Sequence, residues 1–240
     1  MKILYNYTSR SRPDNFKRGL MSIIQNSVNE DYCVLISADI DDETMYNNDL
    51  IQWVEDNTPK DKVYFRWGFS KSKIDAINRD LNEFLKLYNA EIIINFSDDM
   101  LFIQKGFDDV IREAFYKNTM CFDIPETHLY NLDQYLHFND GNQKSNVCTM
   151  HIVGIDYYNR TSCIYNKDYI SLWCDVENDI VAKQLGCYKY MGNDLQLFKH
   201  LHPAWGLAPQ DALSIKTEDR ALWVADEITF NKRKKINFGL

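Results

Sequence analysis

Glycine and proline are scarce in this chain, whose 240 residues include nine glycines and five prolines. That scarcity excludes collagen-like and low-complexity proteins. The sequence has no apolar run long enough to span a membrane. Residues 1–8 also lack the apolar core of a secretion signal. We therefore expect no integral membrane segment and a cytoplasmic location.

Basic residues are fewer than acidic ones: the chain has 27 Lys and Arg and 35 Asp and Glu, which gives a formal net charge of -8. Proteins held to nucleic acid by phosphate contacts are usually basic, so this chain could bind DNA or RNA only through a local patch. None of the six cysteines forms a Cys-x-x-Cys pair, which argues against zinc ribbons and redox dithiols. In the cytoplasm we expect free thiols, mostly buried, at Cys33, Cys121, Cys148, Cys163, Cys174 and Cys187.

The first half of the sequence alternates short apolar runs with amphipathic segments. The runs predict strands at residues 2–7, 31–37, 63–67 and 91–96. The amphipathic segments predict helices at residues 15–25, 48–57 and 72–88. This alternation predicts an α/β fold with a mostly parallel sheet and helices on both faces.

The second half of the sequence is less regular, and residues 120–150 have few apolar runs. Short strands are predicted at residues 150–154, 163–165, 188–190 and 196–198. Helices are predicted at residues 180–185, ended by Gly186, and at 217–231. No linker or internal repeat separates the two halves, so we predict a single domain with a C-terminal appendage.

Polar clusters follow three of the predicted strands, at residues 8–12, 39–42 and 98–99. Ligands of such sheets bind beyond the carboxyl ends of the strands, where these clusters are expected to meet. Asp98 and Asp99 are adjacent carboxylates after a buried strand. Such hard oxygen ligands suit manganese or magnesium bound to a diphosphate. Taken alone, however, the Asp pair also fits an ordinary turn or helix cap.

The order and spacing of these motifs resemble the family 2 glycosyltransferases of the GT-A fold, in a branch seen in bacteria and phages. That fold is a Rossmann-like α/β/α sandwich with a mostly parallel central sheet and an irregular C-terminal acceptor region. Ser97-Asp98-Asp99 stands where the family has Asp-x-Asp, with Ser97 in place of the first acid. The resemblance implies that Asp99 is the metal ligand. It also implies a donor site formed by Thr8, Ser9, Arg10, Arg12, Asp39, Asp42, Lys73, Asn78 and Asp98.

The resemblance continues in the second half of the chain. Asp175 lies eleven residues before Gly186, the spacing of the family's catalytic acid, although Cys174 replaces the usual Glu. Asp175 is therefore the candidate general base that takes the proton of the acceptor hydroxyl, and Glu177 is the next candidate. The alternative is an acidic helix start stabilised by the helix dipole. Either His200 or His202, on one face of an extended segment, is a candidate metal ligand or diphosphate contact.

Two tryptophans and a basic segment are further candidates for contacts with a ligand. An aromatic face stacks on the apolar face of a pyranose, so Trp173 and Trp205 are candidate sugar platforms, although core packing explains a single Trp as well. Residues 231–235 (NKRKK) are basic on an acidic protein. They fit a solvated helix end, or an electrostatic contact with an anionic acceptor or the donor diphosphate.

The resemblance implies a division of the chain into a nucleotide-sugar half (1–115), an acceptor and catalytic half (116–215) and a tail (216–240). The implied activity is metal-dependent transfer of a sugar, with inversion, from a nucleotide-diphosphate sugar to a hydroxyl acceptor. UDP is the favoured nucleotide. The acceptor stays open between a glycan, a lipid-linked sugar, a protein and a modified nucleobase. A sugar nucleotidylyltransferase is an alternative, although the first turn lacks its glycine-rich loop. A non-catalytic nucleotide-sugar or carbohydrate-binding protein of the same fold is another.

Overall fold

The computed structural model describes residues 1–116 and 130–240. The first half contains strands β1 (Ile3–Thr8), β2 (Tyr32–Asp39), β3 (Val63–Gly68), β4 (Ile92–Ser97) and β5 (Met100–Phe102). Its helices are α1 (Pro13–Asn26), α2 (Asn48–Asn57), α3 (Lys73–Arg79), α4 (Leu81–Leu87) and α5 (Phe107–Ala114). The four strands and three helices predicted for this half are confirmed in type and position, apart from the 72–88 helix. The short strand β5 was not predicted.

The second half contains strands β6 (Tyr135–His137), β7 (Ile152–Gly154), β8 (Tyr188–Tyr190) and β9 (Phe198–His200). Its helices are α6 (Ile155–Thr161), α7 (Cys174–Gln184), α8 (Ala212–Thr217) and α9 (Arg220–Lys235). Short 3-10 turns lie at Pro203–Trp205 and Asn237–Gly239. None of the helices in the described ranges is long and apolar enough to cross a membrane.

Seven strands form the central sheet in the order β3-β2-β1-β4-β7-β6-β8. Its pairings are parallel, except those of β7 with β4 and with β6. Thr8 pairs with Ser37 of β2 and with Ser97 of β4, so these three strands end level with one another. The mostly parallel α/β fold is therefore confirmed, and the polar residues after these strands share one edge of the sheet.

The sheet is covered on both faces, which explains why its central strands read as continuous apolar runs. Along β1, Tyr5 and Tyr7 point to the face covered by α1, while Leu4 points to the opposite face with α3 and α4. All three side chains are fully buried. Large hydrophobic cores therefore lie on both sides of the sheet and hold the strand ends in place.

Several predictions about local structure were wrong. The 72–88 helix is two helices that meet at Asp80, whose carboxylate accepts hydrogen bonds from the Arg79 guanidinium. Residues 163–165 form no strand, because Asn78 holds the backbone of Ile164 and Tyr165 in an irregular loop. Helix α7 begins at Cys174, six residues before its predicted start.

Free thiols are confirmed at the five described cysteines, which are Cys33, Cys148, Cys163, Cys174 and Cys187. Of these, only Cys163 is partly exposed. The prediction for Cys121 falls on a residue outside the described ranges. Burial raises the pKa of the Cys33 thiol to about 12, so this thiol stays protonated and unreactive at neutral pH.

Candidate functional site

A cleft of about 440 Å³ opens at the carboxyl ends of β1, β2 and β4. One wall consists of the turn after β1, the residues that follow β4 and the loop before α3. The opposite wall is the C-terminal segment from His202 to Leu222. The structure brings nine of the predicted site residues to this cleft: Thr8, Ser9, Arg10, Arg12, Asp39, Lys73, Asp98, Asp99 and His202.

Asp39 lies between two arginines at the end of β2. One carboxylate oxygen accepts a hydrogen bond from Arg10 at 2.8 Å, and the other accepts from Arg79 and Ser70 at 2.7 Å each. Arg10 also pairs with Asp41 through two hydrogen bonds. These contacts fix the Asp39 carboxylate and direct the Arg10 side chain along the cleft wall.

Asp98 is buried at the end of β4 and contacts the turn after β1. Its oxygens accept hydrogen bonds from Ser9 at 2.7 Å and from Arg12 at 3.1 Å. Burial, together with the neighbouring charge of Asp99, raises the pKa of Asp98 to about 6, although Ser9 and Arg12 act in the opposite direction. Arg12 also holds Asp211 at 2.6 and 2.7 Å, so it joins the β4 loop to the C-terminal wall.

Asp99 lies beside two histidines that come from β9 and the residues after it. Because β5 pairs with β9, His200 lies with its Nε2 3.2 Å from the Asp99 carboxylate. One ligand atom from each of Asp99, His200 and His202 lies within 4.8 Å of the others. The structure therefore places a carboxylate and two imidazoles, predicted separately from the sequence, in one cluster.

Neighbouring charges and hydrogen bonds shift the pKa values of Asp99 and His200 in this cluster. Burial alone would raise the pKa of Asp99, but hydrogen bonds from His200 and Ser97 hold it well below its usual value. Burial would lower the pKa of His200, yet the carboxylates of Asp140 and Asp99 raise it to about 9. The Nδ1 atom of His200 is 3.7 Å from Asp140 and has no hydrogen-bond partner among the described residues. With a pKa of about 9 the ring is protonated at neutral pH, so it would have to release a proton before one of its nitrogens could bind a metal ion.

The donor set of this cluster fits a divalent metal. Carboxylate oxygen suits manganese and magnesium, and neutral imidazole adds a preference for manganese over magnesium. His202 is held in place, because its Nε2 lies 3.0 Å from Glu218 and its Nδ1 accepts from the Ala204 amide. Both ring nitrogens of His202 are therefore engaged, so the ring would have to release one of these contacts to bind a metal ion.

Three lysines line the cleft without a carboxylate partner. Lys71 and Lys73 come from the loop before α3 and its first residue, and Lys216 comes from α8 in the opposite wall. Within residues 1–116 and 130–240, none of them forms an ion pair, whereas Arg10, Arg12 and Arg79 are all paired. The cleft therefore offers three free ammonium groups to an anionic ligand.

Asp175 lies in the first turn of α7, where Trp173 turns the chain with a φ of 65°. Desolvation raises the pKa of Asp175, and the Val176 amide and the charge of Lys73 offset this only in part. The Val176 amide, at 2.8 Å, is the hydrogen-bond donor that the structure gives this carboxylate. Asp175 does not line the cleft itself, but it lies close enough to Lys73 to feel its charge.

Besides Asp175 and His200, three further predicted site residues do not line the cleft. The Glu177 carboxylate pairs with the Arg233 guanidinium at 2.8–3.0 Å and accepts from Tyr169, beside a separate cavity. Asp42 accepts from the amides of Ser11 and Thr44 and so holds its own loop. Asn78 fixes the backbone of residues 164–165.

The two candidate sugar platforms differ in environment. Trp173 packs against Trp223 and Phe230 with ring centroids 5.1 and 5.0 Å apart, so it belongs to the core. Trp205 is 45% exposed and ends the 3-10 turn that begins at the cleft residue Pro203.

No protein-family model matches the sequence, and no curated protein matches it. Solved structures do match its fold. The mannosyltransferase PcManGT from Pyrobaculum calidifontis, in complex with GDP-Man and Mn2+, is 11% identical, with a TM-score of 0.56 over 80% of this chain and 54% of that one. TarS from S. aureus (residues 1–349) is 12% identical, with a TM-score of 0.55 over 83% and 60%, and a second structure contains UDP.

This chain has the GT-A glycosyltransferase fold. It spans little more than half the length of the two matched proteins, so the likeness concerns the part that they share. At this level of identity the comparison establishes the GT-A architecture alone. The reaction that the protein catalyses is inferred from the residues of the cleft.

Sequence reasoning missed several residues that shape the cleft of this GT-A domain. Arg79 reaches Asp39 from the end of α3, at a position that the motif comparison did not include. Lys71 lies two residues before the identified Lys73, and loop lysines carry no distinctive pattern. Asp211, Lys216 and Glu218 are far from the other cleft residues in sequence, so only the tertiary fold brings them together.

Proposed function

We propose that this protein is a metal-dependent glycosyltransferase that moves a hexosyl or pentosyl group from a nucleotide-diphosphate sugar to a hydroxyl acceptor. The observation that carries the proposal is the cluster of Asp99, His200 and His202 beside Asp98, at the end of β4. Oxygen and imidazole ligands suit a divalent cation such as manganese, and free ammonium groups nearby suit a diphosphate. The GT-A fold of the chain supports the same activity.

The diphosphate of the donor fits between the metal cluster and the lysines. Asp99, His200 and His202 would hold manganese or magnesium, which when bound neutralises charge on a leaving nucleoside diphosphate. Lys73 and Lys216 approach the cleft from opposite walls, so both can contact phosphate oxygens. Such fixed cations stabilise negative charge that develops when the sugar–phosphate bond breaks.

The nucleoside fits the part of the cleft beside Asp39. A carboxylate there can accept hydrogen bonds from ribose hydroxyls or from the N–H of uracil, in line with the preference for UDP. Both Asp39 oxygens already bind arginines, so we expect the Arg10 side chain to move when a nucleoside enters. Asp42 supports this loop through its backbone contacts and acts indirectly.

Asp175 is our candidate for the general base. Its pKa is raised by desolvation, which brings the carboxylate nearer to the range in which a base can accept a proton from a hydroxyl. In the proposed step, the acceptor oxygen attacks the anomeric carbon as its proton moves to an Asp175 oxygen, and the nucleoside diphosphate leaves. Direct displacement of this kind inverts the anomeric centre. The acceptor stays open between a glycan, a lipid-linked sugar, a protein and a modified nucleobase.

The decisive experiment combines binding and product analysis. Calorimetry with UDP and GDP, each with Mn2+ and with chelator, should show tighter binding in Mn2+, and Asp99→Asn should lose that difference. Asp49→Asn, which alters an exposed acid in the first turn of α2, is the matched control. Incubation with nucleotide sugars should then release nucleoside diphosphate. Release of pyrophosphate from a nucleoside triphosphate and sugar phosphate would instead indicate a nucleotidylyltransferase. Metal-independent binding in the parent protein would contradict the metal site.

A further inference from the structure

The C-terminal part of the chain exposes an unusual number of large apolar side chains. Among the described residues, seven of the fourteen that are exposed lie in the last 36 positions: Trp205, Leu207, Ile215, Val224, Ile228, Ile236 and Leu240. Single exposed apolar residues are normal, whereas apolar residues that share one face mark an interaction surface. None of these seven residues lines the cleft.

Helix α9 shows how this exposure is organised. Its inner face packs on the protein body through buried Phe230 and Asp226, and through Arg233, which pairs with Glu177 of α7. Val224 and Ile228 lie on the opposite side and are 38% and 51% exposed. The inner contacts fix the orientation of the helix, so exposure of the other side is a consequence of the fold.

We name the opposite side of α9 the outer face and define it by Val224, Ile228, Lys232 and Lys235. These positions follow one another at intervals of four, four and three residues, so they share one side of a helix. The α9 helix has 16 residues, which corresponds to a length of about 24 Å. The outer face is therefore a stripe that is apolar in its first half and basic in its second.

The basic half of the stripe contrasts with the rest of the molecule. Lys232, Lys234 and Lys235 are exposed and form no ion pair in the described parts of the chain, while the whole protein carries a net charge of -8. An acidic protein that gathers unpaired lysines beside exposed aliphatic side chains has the charge and polarity that anionic lipid headgroups attract.

We propose that the outer face of α9 docks onto an anionic lipid surface. The aliphatic side chains of Val224 and Ile228 enter the headgroup region, and Lys232 and Lys235 contact the lipid phosphates. The helix lies in the plane of the surface, because its inner face stays attached to the protein body. This docking is independent of the transferase proposal, since none of the four residues lines the cleft.

Charge complementarity selects lipid over a second copy of the chain. The free charge of each lysine contributes about a five-fold factor to binding at an anionic surface. The attraction is screened by salt, so binding should weaken strongly between low salt and about 0.5 M. A dimer made through the outer face would, with parallel helices, bring the lysines of two copies together. With antiparallel helices it would place the lysines against the aliphatic side chains of the other copy, so either dimer is opposed by charge repulsion or by burial of unpaired charge.

Co-sedimentation with vesicles tests the docking. We expect the full chain to bind vesicles that contain about one third phosphatidylglycerol at low salt, and to bind neutral phosphatidylcholine vesicles at least ten-fold more weakly. The double variant Lys232→Glu/Lys235→Glu should reduce binding at least twenty-fold, and Ile228→Ser should reduce it several-fold. The controls Lys60→Glu/Lys86→Glu and Leu87→Ser make the same changes at other exposed positions.

Each other outcome overturns the proposal. These outcomes are the absence of binding by the parent protein, equal binding to neutral and anionic vesicles, and equal loss in the control variants. A concentration-dependent dimer that Ile228→Ser dissociates, without vesicle binding, would assign the outer face to a second copy instead. Nucleoside diphosphate binding and thermal denaturation should stay at parental values in all variants, which shows that they fold.

Discussion

Asp175 and Glu177 lie two residues apart at the start of α7, yet the structure gives them opposite surroundings. We therefore predict that their conservative replacements separate catalysis from stability. Glu177→Gln should destabilise the protein and leave the chemistry nearly unchanged, whereas Asp175→Asn should slow the chemistry and leave stability unchanged or improved. Both variants keep the size of the side chain, so packing is the same in the comparison.

The magnitude for Glu177 follows from its contacts with Arg233. The two side chains are 4% and 15% exposed, and three N–O distances between them are 2.8–3.0 Å. Breaking a fully buried ion pair costs about 3–5 kcal/mol. Arg233 keeps some solvent and its bond to the Phe238 carbonyl, and Gln keeps one acceptor oxygen, so we expect about 2–3 kcal/mol. For a chain of this length that lowers Tm by about 5–10 °C.

The expectation for Asp175 has the opposite sign. Its pKa is raised in the folded protein, so the folded state binds the proton more tightly than the unfolded state does. Ionisation of Asp175 therefore lowers the free energy of unfolding as pH rises from the unfolded pKa to the folded one. Asn removes that charge at neutral pH and retains an oxygen for the Val176 amide. Turnover should nevertheless fall by about 10²–10⁴ if Asp175 is the base.

Thermal denaturation and initial rates of nucleoside diphosphate release, measured on the same preparations, check the prediction. Donor affinity in Mn2+ should be near the parental value in both variants, because the lost interaction of Asp175 belongs to the transition state. If Glu177→Gln keeps the parental Tm but loses turnover, then Glu177 is the base. If both variants turn over normally, a carboxylate-assisted inversion at this helix is refuted.

Three further predictions concern metal, nucleoside and pH. Asp99→Ala should abolish the increase in nucleotide affinity that Mn2+ causes, measured by calorimetry, without lowering Tm by more than a few degrees. Asp39→Asn should weaken nucleoside diphosphate binding in chelator, whereas Asp42→Asn should act mainly by lowering Tm, because Asp42 holds its own loop. Burial lowers the pKa of His137 to about 4 and of His151 to about 3, so both stay neutral in the fold. The unfolded chain takes up their protons below about pH 6.5, so these two histidines lower the free energy of unfolding by roughly 2–4 kcal/mol between pH 6.5 and 5. The raised pKa values of Asp98 and His200 act in the opposite direction and offset roughly 1–2 kcal/mol of this loss. Urea denaturation at both pH values checks this, and His137→Gln should make the loss smaller than in the parent by roughly 1–2 kcal/mol.

The sheet could be predicted from the sequence because its central strands are buried on both faces. Residues 31–37 and 91–96 are almost continuously apolar, a pattern that little else in a soluble domain produces. Parallel strands of similar length that begin at one edge also end at one edge. The convergence of residues 8, 39 and 98 therefore followed from the parallel arrangement of the strands.

The helices were harder to predict where tertiary contacts override the local pattern. The apolar stripe of residues 72–88 continues across Asp80, and the break is accompanied by hydrogen bonds of Arg79 to Asp80, Asp39 and Ala38. In the same way, the acidic residues at the start of α7 look alike in sequence. Arg233, 56 residues away from Glu177, is what distinguishes it from Asp175.

The C-terminal wall of the cleft could not be predicted from the sequence. Arg12 and Asp211 are 199 residues apart and form two hydrogen bonds of 2.6 and 2.7 Å. A single sequence carries no periodicity or motif that pairs positions at such a separation. A C-terminal tail was predicted from its composition, whereas the position of this segment over the cleft depends on this tertiary contact and on the pair of His202 with Glu218.

The net charge of -8 nevertheless does not oppose the binding of an anionic donor. The reason is that, among the residues that the structure describes, the arginines of the cleft are paired with carboxylates, whereas its lysines are not. Its arginines hold carboxylates in two-point contacts, a geometry that the planar guanidinium favours over an ammonium group. Arg10 and Arg12 thereby neutralise Asp41 and Asp211. The lysines, whose compact charge needs no fixed partner, are the groups left free to meet phosphate. An acidic protein can therefore present unpaired positive charge locally, and the overall balance of charge predicts neither its presence nor its position.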